Sequence, residues 1–292
     1  MTRQSTLLAV VAAFVSLAAQ DAPQAERLLS RRYVEGDRVE YLMKGQDDGS
    51  TYEVRITATT KKASDGRLVE EFAWSDMVAN GVPRALAATS QAFRLAVTLE
   101  GGAPFETPDL SKAPGLIGPV TDLMTFYADL FLAMHHGALR KPGDHFYFPS
   151  PITSSWADGT IVVLGEDHID FDITLTAVDT ASDVATLLIK HVPPGVPKIQ
   201  LPAEWMRARI AETPNNWVQV RKTATGFAAS VGKETFDVTL GVAISNGKVL
   251  SAKMENPVTK VTRACSDASL IQCGDAQASP TLRRIELSLL DQ

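Results

Sequence analysis

Few residues in this chain are of a type that could do chemistry: five histidines, two cysteines, and the aspartates Asp122, Asp129, Asp170 and Asp172. His135 and His136 end what reads as a helix. Adjacent helical side chains diverge by about 100°, so one metal ion would not readily take both. The helix dipole alone favours histidine there. Asp122, Asp129 and His136 share one helical strip at steps of seven, roughly 10 Å apart along the axis. That spacing suits solvation and not a shared ligand shell. His168 and His191 fall on opposite strand faces by parity. His191 lies on the Phe171 side, near the apolar face, and is the better candidate for a functional imidazole; the simpler reading is a satisfied core or edge histidine ahead of Pro193. Asp170 and Asp172 project side by side from a wet face, where they could bind calcium or merely aid solubility.

The familiar catalytic signatures are absent. There is no Gly-x-Ser-x-Gly elbow, no His-Glu-x-x-His, no phosphate-binding loop and no dinucleotide fingerprint. The residues therefore indicate no catalytic group, no cofactor and no metal. A formal net charge of -6 argues against a nucleic-acid partner, which calls for a basic footprint. Cys265 and Cys273, the only cysteines, read as a local disulfide in an oxidising compartment. Closing so short a loop contributes roughly 2–3 kcal/mol in the chain-entropy model.

Residues 1–19 have the form of a cleavable signal peptide. Arg3 supplies a basic start, Leu7–Leu17 an apolar run, and Ser16-Leu17-Ala18 the small-x-small pattern read by a signal peptidase. The run is shorter than the roughly 20 residues that span a bilayer. Cleavage after Ala18 or Ala19 would leave Gln20 where a lipoprotein carries an acylated cysteine. The expectation is a soluble periplasmic or extracellular protein that does not span the membrane after cleavage.

The elements that must position these residues are mostly strands. Ile169, Phe171, Ile173, Leu175 and Ala177 alternate with polar partners, which marks a strand with one face buried. Val184–His191 continues the pattern and pairs Ala177 with Ala185, Leu175 with Leu187 and Ile173 with Ile189. Upstream, a turn over Gly165–His168 sets Leu164 opposite Ile169 and Val162 opposite Phe171. A second meander runs through Val39–Met43, Thr51–Thr60 and Arg67–Ser75. It pairs Met43 with Tyr52, Tyr41 with Val54 and Val39 with Ile56, with Leu68, Phe72 and Trp74 facing inward. Tyr52–Thr59 and Ile169–Thr176 share an acid at the second position and an Ile-Thr-x-Thr ending, the pattern of a duplicated half-barrel. Further strands are expected at Ala92–Leu99, Trp217–Lys222, Phe227–Val231 and Leu282–Leu290, and short helices at Ala25–Ser30 and Ala203–Ile210. Pro193–Pro202 reads as a connector. A hairpin over Thr235–Met254 takes a three-residue Ser245-Asn246-Gly247 turn with Gly247 left-handed, pairing Val242 with Leu250, Leu240 with Ala252 and Val238 with Met254.

One long helix interrupts the strands, from Pro119 at its first turn to about His136. Its apolar arc (Val120, Leu123, Met124, Phe126, Tyr127, Leu130, Phe131, Ala133, Met134) covers more than half the circumference. Such an arc is either buried against a sheet on most sides or partly open to an apolar ligand. The expected class is therefore α+β, mostly antiparallel β: a curved sheet or half-barrel, single or duplicated, with one long apolar helix packed on it. The expected divisions are 1–19, 20–142 (first meander and helix) and 143–292 (the C-terminal β-rich half), the two halves forming one continuous unit.

This layout, over roughly Gly36–Leu290, resembles the LolA/LolB-like half-barrel group. It also resembles exported β-rich bacterial proteins more generally. The former resemblance implies a periplasmic carrier of lipids or lipidated proteins, and no functional residue transfers with it. On the residues themselves, the expected job is binding of an apolar small molecule or lipid between the concave sheet and the helix. The lining would be Tyr41, Val54, Met124, Tyr127, Phe131, Phe171, Ile173 and Leu187. The alternatives are an interaction scaffold for another envelope protein and a hydrolase using His191 or an acidic pair.

Overall fold

The computed structural model describes residues 28–47, 49–106, 108–136, 139–150, 155–157, 161–164, 169–192, 203–208, 210, 215, 217–278 and 280–290. The expected signal peptide, most of the Ala25–Ser30 helix, His168 with its turn, and the Pro193–Pro202 connector lie outside the described residues.

In chain order the elements begin with β1 (Arg38–Asp47), β2 (Ser50–Lys62), β3 (Leu68–Ala79) and β4 (Val82–Arg84). Helix α1 (Ala88–Ala92), β5 (Leu95–Val97) and the long helix α2 (Ile117–His136) follow. Then come β6 (His145–Ser150), β7 (Ser155–Ala157), β8 (Ile161–Leu164), β9 (Ile169–Asp179) and β10 (Val184–Val192). The last are β11 (Trp217–Thr223), β12 (Gly226–Glu234), β13 (Phe236–Ala243), β14 (Val249–Cys265), β15 (Gln277–Ala278) and β16 (Thr281–Leu289).

All pairings are antiparallel, and the sheet is open and curved, as the alternating patterns imply. One path reads β4-β3-β2-β1-β16-β14-β12-β11-β8-β7, and a second branch leaves β14 through β13, β10, β9 and β6. The fork is written into β14. Its residues 249–255 pair with β13 and its residues 258–265 with β12, while 251–258 pair with β16 on the other side. Pro257 stands at the change-over, its carbonyl accepting from Thr235 N–H. In an extended strand a residue's N and C=O face the same neighbour. The N–H that proline lacks therefore falls in the gap between β13 and β12, where no ladder bond is lost.

Two cores result. The larger joins the concave faces of β1–β3, β9, β10, β13, β14 and β16 to nearly the whole of α2. The smaller (Met206, Val218, Ala229, Val231 and Leu270 beside Cys265) lies under β11, β12 and the end of β14, and the Cys265–Cys273 disulfide closes it.

The expected registers hold in face but differ in detail. Observed pairs are Tyr41 with Ile56, Met43 with Val54 and Gly45 with Tyr52, a shift of two residues. The strands run on to Asp47 and Ser50, beyond the expected Val39–Met43 and Thr51–Thr60, and Gly45 continues β1. In β9–β10, Leu175–Leu187 and Ile173–Ile189 pair as expected, but an irregularity at Thr186/Leu187 sets Ala185 opposite Val178. The β13–β14 hairpin pairs Leu240 with Ala252 and Val238 with Met254, and Gly247 is left-handed (φ 69°). A bulge at Gly241/Val242 places Val242 opposite Val249. One pairing is wrong outright: β8 pairs with β7 and β11, and β9 takes β6 as its other neighbour. Parity alone cannot choose between two apolar-faced partners. Two elements are also smaller than expected: Ala92–Leu99 yields only β5 after α1, and Ala203–Ile210 yields a 3-10 turn over Glu204–Arg207.

Candidate functional site: the trough, its helix and its rim

Tyr41, Val54, Met124, Tyr127, Phe131, Phe171, Ile173 and Leu187 meet in one buried cluster. The concave sheet forms an apolar trough, and α2 lies in it. Phe72 of β3 meets the Tyr127 ring edge-on with centroids 5.1 Å apart, and the Tyr41 hydroxyl donates to Val249 O at 3.1 Å. Burial pushes the Tyr41 and Tyr127 phenols well above their ordinary range, so both stay neutral. Of the two readings of the helix arc, the structure realises burial against the sheet.

Two aspartates of the α2 strip are not solvated, which corrects the sequence expectation. Asp122 and Asp129 are each 1% exposed. Asp122 accepts from the Tyr52 hydroxyl at 2.5 Å and from Arg283 Nη2. Burial, then the Asp122 carboxylate, pushes the Tyr52 phenol well above its usual value, so Tyr52 is held as a donor. Asp129 lies 3.0 and 3.1 Å, through its two oxygens, from His191 Nε2. The His191 ring stacks on Phe236 (4.4 Å) and meets Phe171 edge-on (4.7 Å).

These partners occupy a single transverse row of the sheet. Arg283 pairs with Asn256; Glu255 pairs with Asp237, which brings Asn256 level with Phe236; and Phe236 pairs with His191. Each lies one inward step beyond a buried apolar residue: Ile285, Met254, Val238 and Ile189. The row is the rim of the trough. From Arg283 to His191 is three strand spacings, about 14 Å in a flat sheet, against roughly 10 Å between Asp122 and Asp129 along the helix. The match, shortened by curvature, means that α2 crosses the strands. Two polar tethers fasten it there.

The opposite end is closed differently. Residues 28–33 run over the β13–β14 turn, with Arg32 N–H donating to Asn246 O and Ser30 O pressed so close to Gly247 that a Cβ there would lie 2.5 Å away. Arg31 turns inward to Glu70 at 2.8 Å, both side chains 2% exposed. Burial opposes the Arg31 charge, but Glu70 outweighs it and holds the guanidinium above its ordinary value. The Tyr33 hydroxyl oxygen accepts from Leu99 N–H.

Chemically, Asp129 orients and hydrogen-bonds His191, and among the described residues no other hydrogen bond to that imidazole is seen. Asp170 is buried, not wet, because the Tyr147 hydroxyl donates to it across β6–β9. Among the described residues no group of three His, Cys, Asp or Glu could hold a metal ion, and no helix is long and apolar enough to cross a membrane.

Sequence reasoning missed Arg31, Glu70, Arg283 and the role of Tyr52. The signal was present for two of them. Glu70 and Arg283 stand at apolar-parity positions, between Leu68 and Phe72 and just before Ile285 and Leu287, where a charge needs a buried partner.

No family model and no curated protein matches the chain. A solved lipovitellin structure, concerned with lipid–protein interactions, is similar over 89% of this chain at 9% identity with a TM-score of 0.42. This chain spans only 26% of that one, and a likeness of this size carries no functional argument.

Proposed function

We propose that this chain is a non-enzymatic binding protein for an apolar ligand, a lipid or lipidated segment, taken up between the concave sheet and α2. The observation that supports it is how α2 is fastened. Its apolar face fills the trough, and two polar tethers, Asp122 and Asp129, fasten it at the rim. A helix held in this way can be shifted by an apolar molecule that competes for the same surface. The proposal includes export to the periplasm or beyond, supported by the pattern of residues 1–19 and by the disulfide. It keeps the LolA/LolB-like carrier group as the nearest functional analogy.

The test is lipid mass spectrometry on the purified protein together with uptake of the neutral fluorophore N-phenyl-1-naphthylamine. A co-purifying lipid or saturable fluorescence enhancement is expected; a clean protein that takes up no fluorophore overturns the proposal. The open sheet supports a second reading, an edge-binding scaffold for an envelope protein. Pull-down of a stoichiometric partner, lost on introducing proline at β6, would favour it.

A further inference from the structure

The trough already holds one carboxylate, and that carboxylate belongs to the protein. Tyr52 of β2 and Arg283 of β16 are separated by β1, yet they converge on Asp122, Tyr52 on Oδ2 and Arg283 on Oδ1. The convergence depends on Gly45. The Tyr52 ring lies across that residue of β1, where a Cβ would come within 2.0 Å of the ring. The phenol thereby reaches over β1 to the guanidinium on the next strand. A neutral donor and a cation, one to each oxygen, make a carboxylate receptor.

Resting on the binding function proposed above, we infer that Tyr52 and Arg283 form the headgroup end of the trough and that its ligand is a single-chain amphiphile ending in a carboxylate. Asp122 is the internal stand-in for that headgroup. Two observations carry this. The Arg283 side chain is 30% exposed, so the residue that holds Asp122 reaches solvent at the rim. Inward of it the sheet is apolar, through Met43, Val54, Met254 and Ile285. Exchange of one carboxylate for another also keeps the guanidinium paired, whereas a neutral chain that displaces Asp122 offers it no anion.

The experiment compares oleate with oleyl alcohol, each displacing N-phenyl-1-naphthylamine from the folded protein. Oleate is expected to bind about tenfold or more tightly than the alcohol, the size of one charge-assisted hydrogen-bond contribution. Asp122→Asn, which weakens the internal competitor, is expected to tighten oleate further. Arg283→Met is expected to remove the preference, with circular dichroism verifying its fold. Equal binding of both probes to the wild-type protein overturns the headgroup assignment and leaves the binding function standing. That comparison needs no variant to fold. Failure of both probes to bind, in wild type and in Asp122→Asn, overturns the binding function itself.

Discussion

The two ends of the trough are closed by ion pairs of opposite character. At the strap end, Arg31 and Glu70 are both 2% exposed and join a chain segment to the sheet. At the rim, Asp122 and Asp129 are equally buried, but their cationic or imidazole partners are not: Arg283 is 30% and His191 13% exposed. A pair with both members out of water is costly to break, because whichever charge remains has no solvent to turn to. A pair with one part-exposed member leaves that member water to turn to when the bond opens, and only the buried carboxylate is left without a partner. The strap end therefore fixes the fold, and the rim is where the molecule can give way.

The largest effect that sharpens this contrast is expected from Glu70→Gln, which strands the Arg31 charge. Urea denaturation should show a loss of about 3–5 kcal/mol; a loss much smaller than that would place water at the strap end and erase the distinction. Next, Cys265→Ser with Cys273→Ser is expected to cost about 2–3 kcal/mol. Because the disulfide serves the smaller core beyond the fork, α2 amide exchange should be unchanged in that variant. Gly45→Ala drives the Tyr52 ring aside and is expected to cost about 1–3 kcal/mol as overpacking. Here hydrogen exchange should quicken in α2 more than in β9 or β10, whereas uniform quickening would mean that the rim does not act locally. The smallest effect is expected from Asp129→Asn, about 1 kcal/mol for one weakened hydrogen bond. In that variant the His191 ring resonances should shift while those of Arg283 do not, and movement of both would show the two tethers to be coupled.

Much of the architecture was legible because two-residue periodicity is unambiguous. Ile173, Leu175, Leu187 and Ile189 could only share a face, and the helix from Pro119 had an arc too wide for a surface element. At the β13–β14 hairpin the left-handed Gly247 was legible, but the turn is one residue longer than the expected Ser245-Asn246-Gly247 because the bulge at Gly241/Val242 shifts the register. Strand order was not. Nothing local tells β9 to pair with β6 and not β8, since both carry apolar faces and the choice is made by packing over long sequence separations. The rim was illegible for a related reason. Asp122 and Asp129 look like an ordinary wet strip until Arg283, 161 residues away, and His191, 62 residues away, are brought under them. The one available clue was a charge at an apolar-parity position, and it marked Glu70 and Arg283 alike.

The seam between β1 and β16 has a consequence for how the molecule is made. The first strand of the trough hydrogen-bonds to the last, from Tyr41–Leu289 to Gln46–Arg284. A ribosome releasing this chain from its N-terminus thus delivers β1, β2, β3 and α2 long before β16, the second neighbour of β1, exists. Until Thr281–Leu289 emerges, the helix has only part of its wall, and loop closure over so great a separation makes that last pairing slow. The interval leaves a greasy, half-walled intermediate in search of cover, the form most open to chaperones and most prone to clump.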